Sequence, residues 1–274
     1  LILYKDVALW CLCCIIISKE EMIMQETLER KQIKNIDFNC DLAQSFGVYK
    51  NGAEEQLLDY VSSVNISCGF HAGDPMSIKE ALIKAKEKNI VVGANSGFDD
   101  IQGFGYRPMD LSDDELDALV TYQVGAMMSF AKSYGLEIEH VRPHGAMYVM
   151  ASRDFHFASV IANAVKKCSD WLVYYGASGD VTAKVGEYVN IPVAHEICLE
   201  KSYNVDGTID FSAPDIVNTN VSIGRLKELL NNSQVMNNEC GKTIVQADTI
   251  HFTNRIPNAQ ELISQPREII TQFP

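Results

Sequence analysis

Residues 64–75 read VNISCGFHAGDP and combine the features that decide the fold. The apolar run at the start is short enough for a buried strand, and the glycine-containing segment after it holds His71. Asp74 and Pro75 then make a favourable helix start, because a capping carboxylate is followed by proline at the first helical position. This stretch therefore predicts a strand, a loop that carries polar side chains, and a helix that runs to Lys88.

The same order of strand, loop and helix repeats along the chain from residue 36 onwards. Such alternation is typical of parallel strands joined by helical crossovers, which predicts an α/β architecture with both faces of the sheet covered. A barrel and a doubly wound sheet both fit this pattern. The predicted strands cover residues 36–42, 64–68, 90–94, 141–145, 171–176, 193–199 and 249–252. The predicted helices cover 54–62, 74–88, 112–134, 153–168, 179–189 and 220–230, and a hairpin is predicted over 234–247.

Composition and charge narrow the class of protein. The chain has 274 residues, of which 47% are hydrophobic and 22% are charged, which is typical of an ordinary globular protein. Its 23 Lys and Arg against 36 Asp and Glu give a net charge of −13, which argues against nucleic acid or an anionic membrane as the main partner. All of the excess negative charge follows residue 35. We therefore expect an N-terminal extension over residues 1–35 and one domain over residues 36–274.

The extension contains an apolar run, VALWCLCCIII, over residues 7–17. Its eleven residues are too few for a membrane-spanning helix, which needs roughly 20, so we interpret the run as a hydrophobic extension, and a secretory signal or a membrane anchor is the alternative. The 8 cysteines of the chain show no paired spacing of the kind that disulfide frameworks or zinc fingers have. They predict reduced, mostly buried thiols in a cytoplasmic protein.

Polar side chains follow several of the predicted strands at their carboxyl ends, where ligands bind in parallel α/β folds. Asp41, His71 and His144 lie at or directly after the carboxyl ends of three different predicted strands. One carboxylate and two imidazoles predict a three-ligand metal site with an open position for water or substrate. Two structural alternatives stay open: each histidine can be a packed core residue, and Asp74 can serve only as a helix cap.

Several motifs resemble those of the LamB/YcsF family. They are DFNCDL at residues 37–42, NISCGFHAGDP at 65–75, QGFGYR at 102–107 and PHGAMY at 143–148. Members of that family are A subunits of the bacterial ATP-dependent 5-oxoprolinase. The resemblance implies an irregular seven-stranded (β/α) barrel of the glycoside hydrolase/deacetylase superfamily type. It also implies that partner B and C subunits use ATP to activate 5-oxo-L-proline, and that the A subunit opens the ring to give L-glutamate.

The resemblance further implies roles for individual residues. The catalytic residues are expected to be Asp41, His71, His144 and Asp74, and the first three are expected to hold a divalent metal, Zn²⁺ or Mn²⁺. The residues expected to bind 5-oxoproline, or a similar small carboxylated lactam, are Asn39, Asn65, Arg107 and Arg142.

The chain also departs from the family pattern at four functional positions. Gln44 stands where a glutamate is usual, and Asn95 stands where a histidine is usual. Thr253 and Arg255 replace a late histidine and aspartate. His251 lies two residues before Thr253 and on the same strand face, so it is a candidate substitute. Three hypotheses follow: a 5-oxoprolinase-type hydrolase with altered or impaired activity, a metal-dependent deacetylase or amidohydrolase for a carbohydrate-like substrate, and a non-catalytic regulatory homologue.

Overall fold

A computed structural model of the protein describes residues 36–50, 54–216, 218–253, 260–261 and 263–264. The predicted extension over residues 1–35 and the departure at Arg255 lie outside these ranges. Across the described part of the chain, the helices are too short or too polar to cross a bilayer.

Seven parallel strands form a closed barrel, which confirms the predicted α/β barrel and decides against a doubly wound sheet. Around the barrel the strands follow the order β1, β2, β3, β4, β5, β6 and β11, and β11 pairs again with β1. Their bounds are β1 Asp37–Leu42, β2 Ser63–Ser67, β3 Val91–Ser96, β4 Ile138–Pro143, β5 Val173–Ala177, β6 Val193–Cys198 and β11 Thr249–Phe252. Two small antiparallel sheets lie outside the barrel, one from β7 Ser202–Tyr203 and β8 Ile209–Asp210, the other from β9 Gln234–Met236 and β10 Lys242–Ile244.

Helices connect the strands, and their ends follow the capping signals of the sequence. Their bounds are α1 Pro75–Lys88, α2 Asp113–Ser133, α3 Gly145–Ala151, α4 Phe155–Cys168, α5 Asp180–Val189 and α6 Thr219–Asn232. Asp74 caps α1 and Ser112 caps α2, each within a full capping box. The predicted hairpin near residue 240 is confirmed by β9 and β10.

Two predicted elements differ from the observed ones. The helix predicted over 54–62 is one turn of 3-10 helix, Glu54–Leu57. The bounds of the strand predicted over 141–145 are wrong, because β4 ends at Pro143 and Gly145 already begins α3. Gly145 has φ +56°, and a Cβ there would lie 2.4 Å from the carbonyl oxygen of Gly105. Glycine therefore allows the chain to turn directly after His144 and to pack against the loop that contains Gly105.

Along the barrel strands, side chains alternate between an apolar face and a polar face, and both faces are buried. Apolar side chains such as Phe38, Ile66 and Val141 alternate with polar ones and are buried. The polar side chains instead hydrogen bond to one another across the barrel. His140 on β4, for example, reaches Asn65 on β2 with an Nε2–Oδ1 distance of 2.8 Å. The interior is thus a polar network, in which each buried group needs partners inside the protein.

Gly93 on the intervening strand β3 makes that cross-barrel bond possible. A Cβ at this position would lie 2.2 Å from the His140 Nε2 atom. The missing side chain leaves the space through which the imidazole of His140 crosses the barrel. The ring also stacks on Tyr175 with centroids 4.1 Å apart, which fixes its orientation.

Candidate functional site

Asp41, near the carboxyl end of β1, is the centre of the polar network. Its Oδ1 accepts a hydrogen bond from Asn65 Nδ2 at 3.1 Å and lies 3.3 Å from His251 Nε2. Its Oδ2 accepts a bond from Gln44 Nε2 at 3.2 Å. The Asp41 side chain is 11% exposed, so it is almost fully buried but still reachable from the barrel mouth.

Arg142 on β4 supplies the positive charge beside Asp41. Its NH1 lies 3.7 Å from Asp41 Oδ1, and its Nε and NH2 hold Glu196 on β6 in a bidentate pair, with bonds of 2.8 Å to Oε2 and 2.7 Å to Oε1. The guanidinium also stacks on Tyr148, 4.5 Å from the ring centroid. Such a fork geometry is specific to arginine, and it fixes the Glu196 carboxylate while it places a positive charge beside Asp41.

These contacts decide the ionisation of both carboxylates. Burial alone would raise the pKa of the Asp41 carboxyl, but Arg142 and His251 outweigh burial and hold that pKa well below its usual range. Burial likewise opposes ionisation of Glu196, and the Arg142 guanidinium again lowers the pKa. Both groups are therefore carboxylates at neutral pH.

His71, which follows β2, and His144, which follows β4, lie face to face beside Asp41. Their ring centroids are 3.9 Å apart and the planes differ by 6°. His144 Nδ1 lies 3.6 Å from Asp41 Oδ2, and its Nε2 donates to the carbonyl oxygen of Phe104 at 3.0 Å. Burial and the neighbouring His144 hold the pKa of His71 well below its usual value, so His71 is neutral. We call Asp41, His71, Arg142, His144 and Glu196 the Asp41 cluster.

The stacked rings also bear on the predicted metal set of Asp41, His71 and His144. An imidazole nitrogen binds a metal in the plane of its ring, at about 2.0–2.1 Å for zinc. In this conformation the two rings are parallel, with centroids 3.9 Å apart, and do not converge on one point. The structure thus brings the three residues together, and this ligand set stays a prediction.

The remaining predicted site residues divide into two groups. Asn39 and Asn65 belong to the interior network, where Asn39 donates to Glu196 Oε2 at 3.2 Å and accepts from Asn65 Nδ2 at 2.7 Å. Asp74 instead caps α1 through Oδ1, while its Oδ2 accepts from Gly47 N. Arg107 is 63% exposed and forms an ion pair with Asp100 in its own loop. Neither Asp74 nor Arg107 contributes to the Asp41 cluster.

The described departures from the family pattern lie at the site. Gln44 donates to Asp41, as stated above, so an amide occupies the place of an ionisable acid. Asn95 is fully buried, and its Nδ2 lies 3.5 Å from His144 Nδ1. Thr253 is buried directly after β11. Gln44 can orient Asp41, and Asn95 can orient His144. Amide and hydroxyl side chains cannot carry a proton in the place of Glu or His.

Three further functional candidates lie together between β6 and β11, and the sequence patterns did not point to them as a set. Cys198, Glu200 and His251 are buried and each offers a ligand atom, and these atoms lie within 4.8 Å of one another. Burial raises the pKa of the Glu200 carboxyl, and burial together with Glu200 raises that of the Cys198 thiol far above its usual value. We call these residues the Cys198 cluster. The alternation of polar and apolar residues in VAHEIC and TIHF is the signal that could have found it.

Known proteins of similar sequence share this barrel. The family model described as LamB/YcsF family matches residues 36–273. The 5-oxoprolinase A subunit of Bacillus subtilis (strain 168) is 38% identical over 218 residues, which cover 78% of this chain and 85% of that protein. The 5-oxoprolinase A subunit of Staphylococcus carnosus (strain TM300) is 35% identical over 240 residues, which cover 86% of this chain and 95% of that protein.

A solved structure gives the same result for the fold. The crystal structure of the lactam utilization protein from Thermus thermophilus matches with a TM-score of 0.81 and 35% sequence identity. The match covers 87% of this chain and 96% of that chain. The similarity therefore extends over nearly the whole barrel.

Proposed function

This chain belongs to the LamB/YcsF family, and from that premise we propose that it is a hydrolase of the 5-oxoprolinase type, in the role of the A subunit. It opens the ring of 5-oxo-L-proline, or of a similar small carboxylated lactam, to give L-glutamate. It works in the cytoplasm with partner B and C subunits, which use ATP to activate the lactam. The names of the relatives, which are A subunits of 5-oxoprolinase, support the partners and the reaction class.

The observation that carries the proposal is the setting of Asp41. This carboxylate is ionised although it is buried, because a guanidinium and imidazoles surround it at the barrel mouth. Such a carboxylate is a weak base because its pKa is low, but it can orient the attacking water and take its proton as the bond to carbon forms, and the neighbouring His144 can pass a proton on. Preorganised groups of this kind are what hydrolysis of an amide bond requires.

The proposed chemistry consists of two hydrolytic steps after activation. The partner subunits transfer the terminal phosphoryl group of ATP to the lactam oxygen. A first water then adds to the ring carbon, Asp41 accepts a proton from that water, and the carbon–nitrogen bond breaks as the nitrogen gains a proton through His144. A second water hydrolyses the resulting acyl phosphate to the glutamate side-chain carboxylate and inorganic phosphate.

The carboxylate of the substrate needs a cation in this pocket. Arg142 provides one, because its NH1 makes only long contacts, 3.5 Å to the carbonyl of Pro143 and 3.7 Å to Asp41. Asn39 and Asn65 line the same interior and supply amide groups for hydrogen bonds. Arg107 pairs with Asp100 at the surface and belongs to this pocket only if its loop closes over the substrate.

The test is reconstitution of the reaction. The purified chain, partner B and C subunits of the same type, ATP and 5-oxo-L-proline should give glutamate and phosphate. Asp41→Asn should lower kcat by at least about 100-fold, within the range expected for loss of a general base. The matched control is Asp113→Asn, which changes an exposed aspartate paired with His156 and should leave kcat unchanged. Absence of glutamate with every active partner preparation would contradict the proposal.

The Cys198 cluster gives specific support to a second function, metal-dependent hydrolysis of an amide in a carbohydrate-like substrate. Release of acetate from N-acetylated sugars by the chain alone, without ATP or partners, would favour that function.

A folded chain that is inactive in both assays, and that gains turnover when Gln44→Glu and Asn95→His are introduced, would instead favour the non-catalytic regulatory homologue.

A further inference from the structure

We propose that Cys198, Glu200 and His251 bind a zinc ion between strands β6 and β11. This site is separate from the predicted Asp41, His71 and His144 set. The three ligand atoms lie within 4.8 Å of one another, and all three side chains are buried. The inference does not depend on the proposed reaction, because it concerns metal binding and is tested without turnover.

Strand register brings the first two ligands together. Cys198 and His251 are register partners on the neighbouring parallel strands β6 and β11. Register partners project from the same face of a sheet, with side chains close enough to interact. Glu196, two residues before Cys198, points into the barrel towards Arg142, so Cys198 also points inwards.

The third ligand is fixed by the turn that follows β6. The Tyr203 hydroxyl donates to the Cys198 carbonyl oxygen at 3.1 Å and accepts from the Cys198 amide at 2.9 Å. The carbonyl oxygen of Glu200 accepts a bond from the Ile216 amide at 2.7 Å. Arg225 donates to the carbonyl oxygen of Leu199 at 3.2 Å. The backbone under Glu200 is thus held from several sides, as a preorganised site requires.

One oxygen of the Glu200 side chain is buried and, within the described part of the chain, unpaired. It is 2% exposed, and its Oε2 has no hydrogen-bond partner among the described residues. A buried carboxylate oxygen without a partner costs free energy unless a cation or a donor occupies the space in front of it. The ligand atoms that share this space belong to a thiol and an imidazole, neither of which carries a permanent positive charge.

Asp41 completes the arrangement as an outer partner of His251. Its Oδ1 lies 3.3 Å from His251 Nε2. Histidines that bind metals commonly donate the other ring N–H to a carboxylate, which fixes the tautomer and makes the ligand more basic. With Nε2–H directed at Asp41, Nδ1 is the nitrogen left to bind the ion.

The donor set selects the metal. Thiolate and imidazole ligands favour zinc over magnesium, calcium and manganese, which prefer oxygen ligands. Three protein ligands leave a fourth position for water or substrate, as in zinc sites that take part in catalysis. A cysteine, a histidine and a glutamate therefore suit zinc with one open position.

The test measures metal binding by the purified full chain. After treatment with a chelator and dialysis, the protein should take up one Zn²⁺ per chain. It should also bind Co²⁺ with a thiolate-to-cobalt charge-transfer band in the near ultraviolet. Zn²⁺ at a free concentration of about 100 times the Kd should raise the melting temperature by about 5–10 °C.

Variants assign the ligands. Cys198→Ser should abolish the charge-transfer band, and Glu200→Gln and His251→Asn should each weaken Zn²⁺ binding by at least about 100-fold, since loss of even an outer partner weakens binding 10–100-fold. The matched control is Cys68→Ser, a thiol at the end of β2 that donates to the carbonyl of Ile66. Far-ultraviolet circular dichroism of the metal-free variants checks that each is folded.

Two results would overturn the proposal. One is a folded wild-type chain that takes up no Zn²⁺ at millimolar concentration. The other is a folded Cys198→Ser variant that binds Zn²⁺ and Co²⁺ as the wild type does, since that would place the metal elsewhere.

Discussion

The Asp41 cluster and the Cys198 cluster lie in the same barrel interior, but the pKa of the buried carboxyls is lowered in the first and raised in the second. In the Asp41 cluster, one guanidinium holds Glu196 in a bidentate pair and lies 3.7 Å from Asp41, and its charge helps to keep both buried carboxyls ionised. In the Cys198 cluster, a carboxyl and a thiol lie together, and burial outweighs the attraction of nearby cationic groups and raises the pKa of both. His251 connects the two clusters through its bond to Asp41.

This difference shows how one polar barrel can hold two kinds of chemistry. Where arginine supplies the charge, the carboxylate stays ionised and available to accept protons. Where burial outweighs the nearby positive charges, the ligands suit an exchangeable cation such as zinc. The histidines on the Asp41 side, by contrast, lie stacked and do not converge on one point.

The largest expected effect comes from removing the cation of the Asp41 cluster. Arg142→Met should destabilise the protein by about 3–5 kcal/mol, because it leaves Asp41 and Glu196 buried without their partner. Equilibrium unfolding in urea at pH 7 measures this change.

The matched control for that variant is Lys88→Met, which breaks an ion pair with Asp59 in which both side chains are exposed, and which should cost far less. Equal losses from both substitutions would show that Arg142 does not hold the interior together. The claim that a buried cation distinguishes the Asp41 cluster from the Cys198 cluster would then be contradicted.

A smaller effect concerns His140, which bonds Asn65 below the Asp41 cluster. Burial outweighs the attraction of Asp37 and Glu196 and lowers the pKa of His140 from 6.5 to about 4. Between these values the unfolded chain binds a proton that the folded chain does not, so stability falls as pH falls. The contribution of His140 to the free energy of unfolding should drop by about 2 kcal/mol from pH 7.5 to pH 5.

Urea unfolding of His140→Gln at both pH values isolates this contribution. The variant should lose about 2 kcal/mol less than the wild type on acidification, although it is less stable at pH 7.5. His156→Gln is the control, because His156 is an exposed histidine paired with Asp113. A wild-type pH dependence in His140→Gln would mean that other buried groups cause the acid sensitivity.

Much of the fold could be predicted from the sequence because its signals are local. The cap at Asp74, the capping box at Ser112 and the order of strands and helices are all confirmed. The predicted end of β4 is wrong, because the turn after His144 depends on contact between Gly145 and Gly105, which are 40 residues apart in the chain. No local pattern encodes that contact.

The site was only partly predictable, for a related reason. Asp41, His71, His144 and Arg142 stand out in the sequence because they lie at or directly after strand ends, in conspicuous motifs. The pairing of Arg142 with Glu196 has no such signal, since β4 and β6 are separated by β5 in the barrel. Cys198 has the sequence context of an inert buried thiol, and its proximity to His251 arises only when the barrel closes.

We expect the Asp41 cluster to transfer protons while the Cys198 cluster takes the ion. Anomalous diffraction at the zinc absorption edge, from crystals of the chelator-treated chain soaked in Zn²⁺, tests this division most directly. One strong peak should lie between β6 and β11, bounded by Cys198, Glu200 and His251. A peak shared by Asp41, His71 and His144, or no peak inside the barrel, would contradict it.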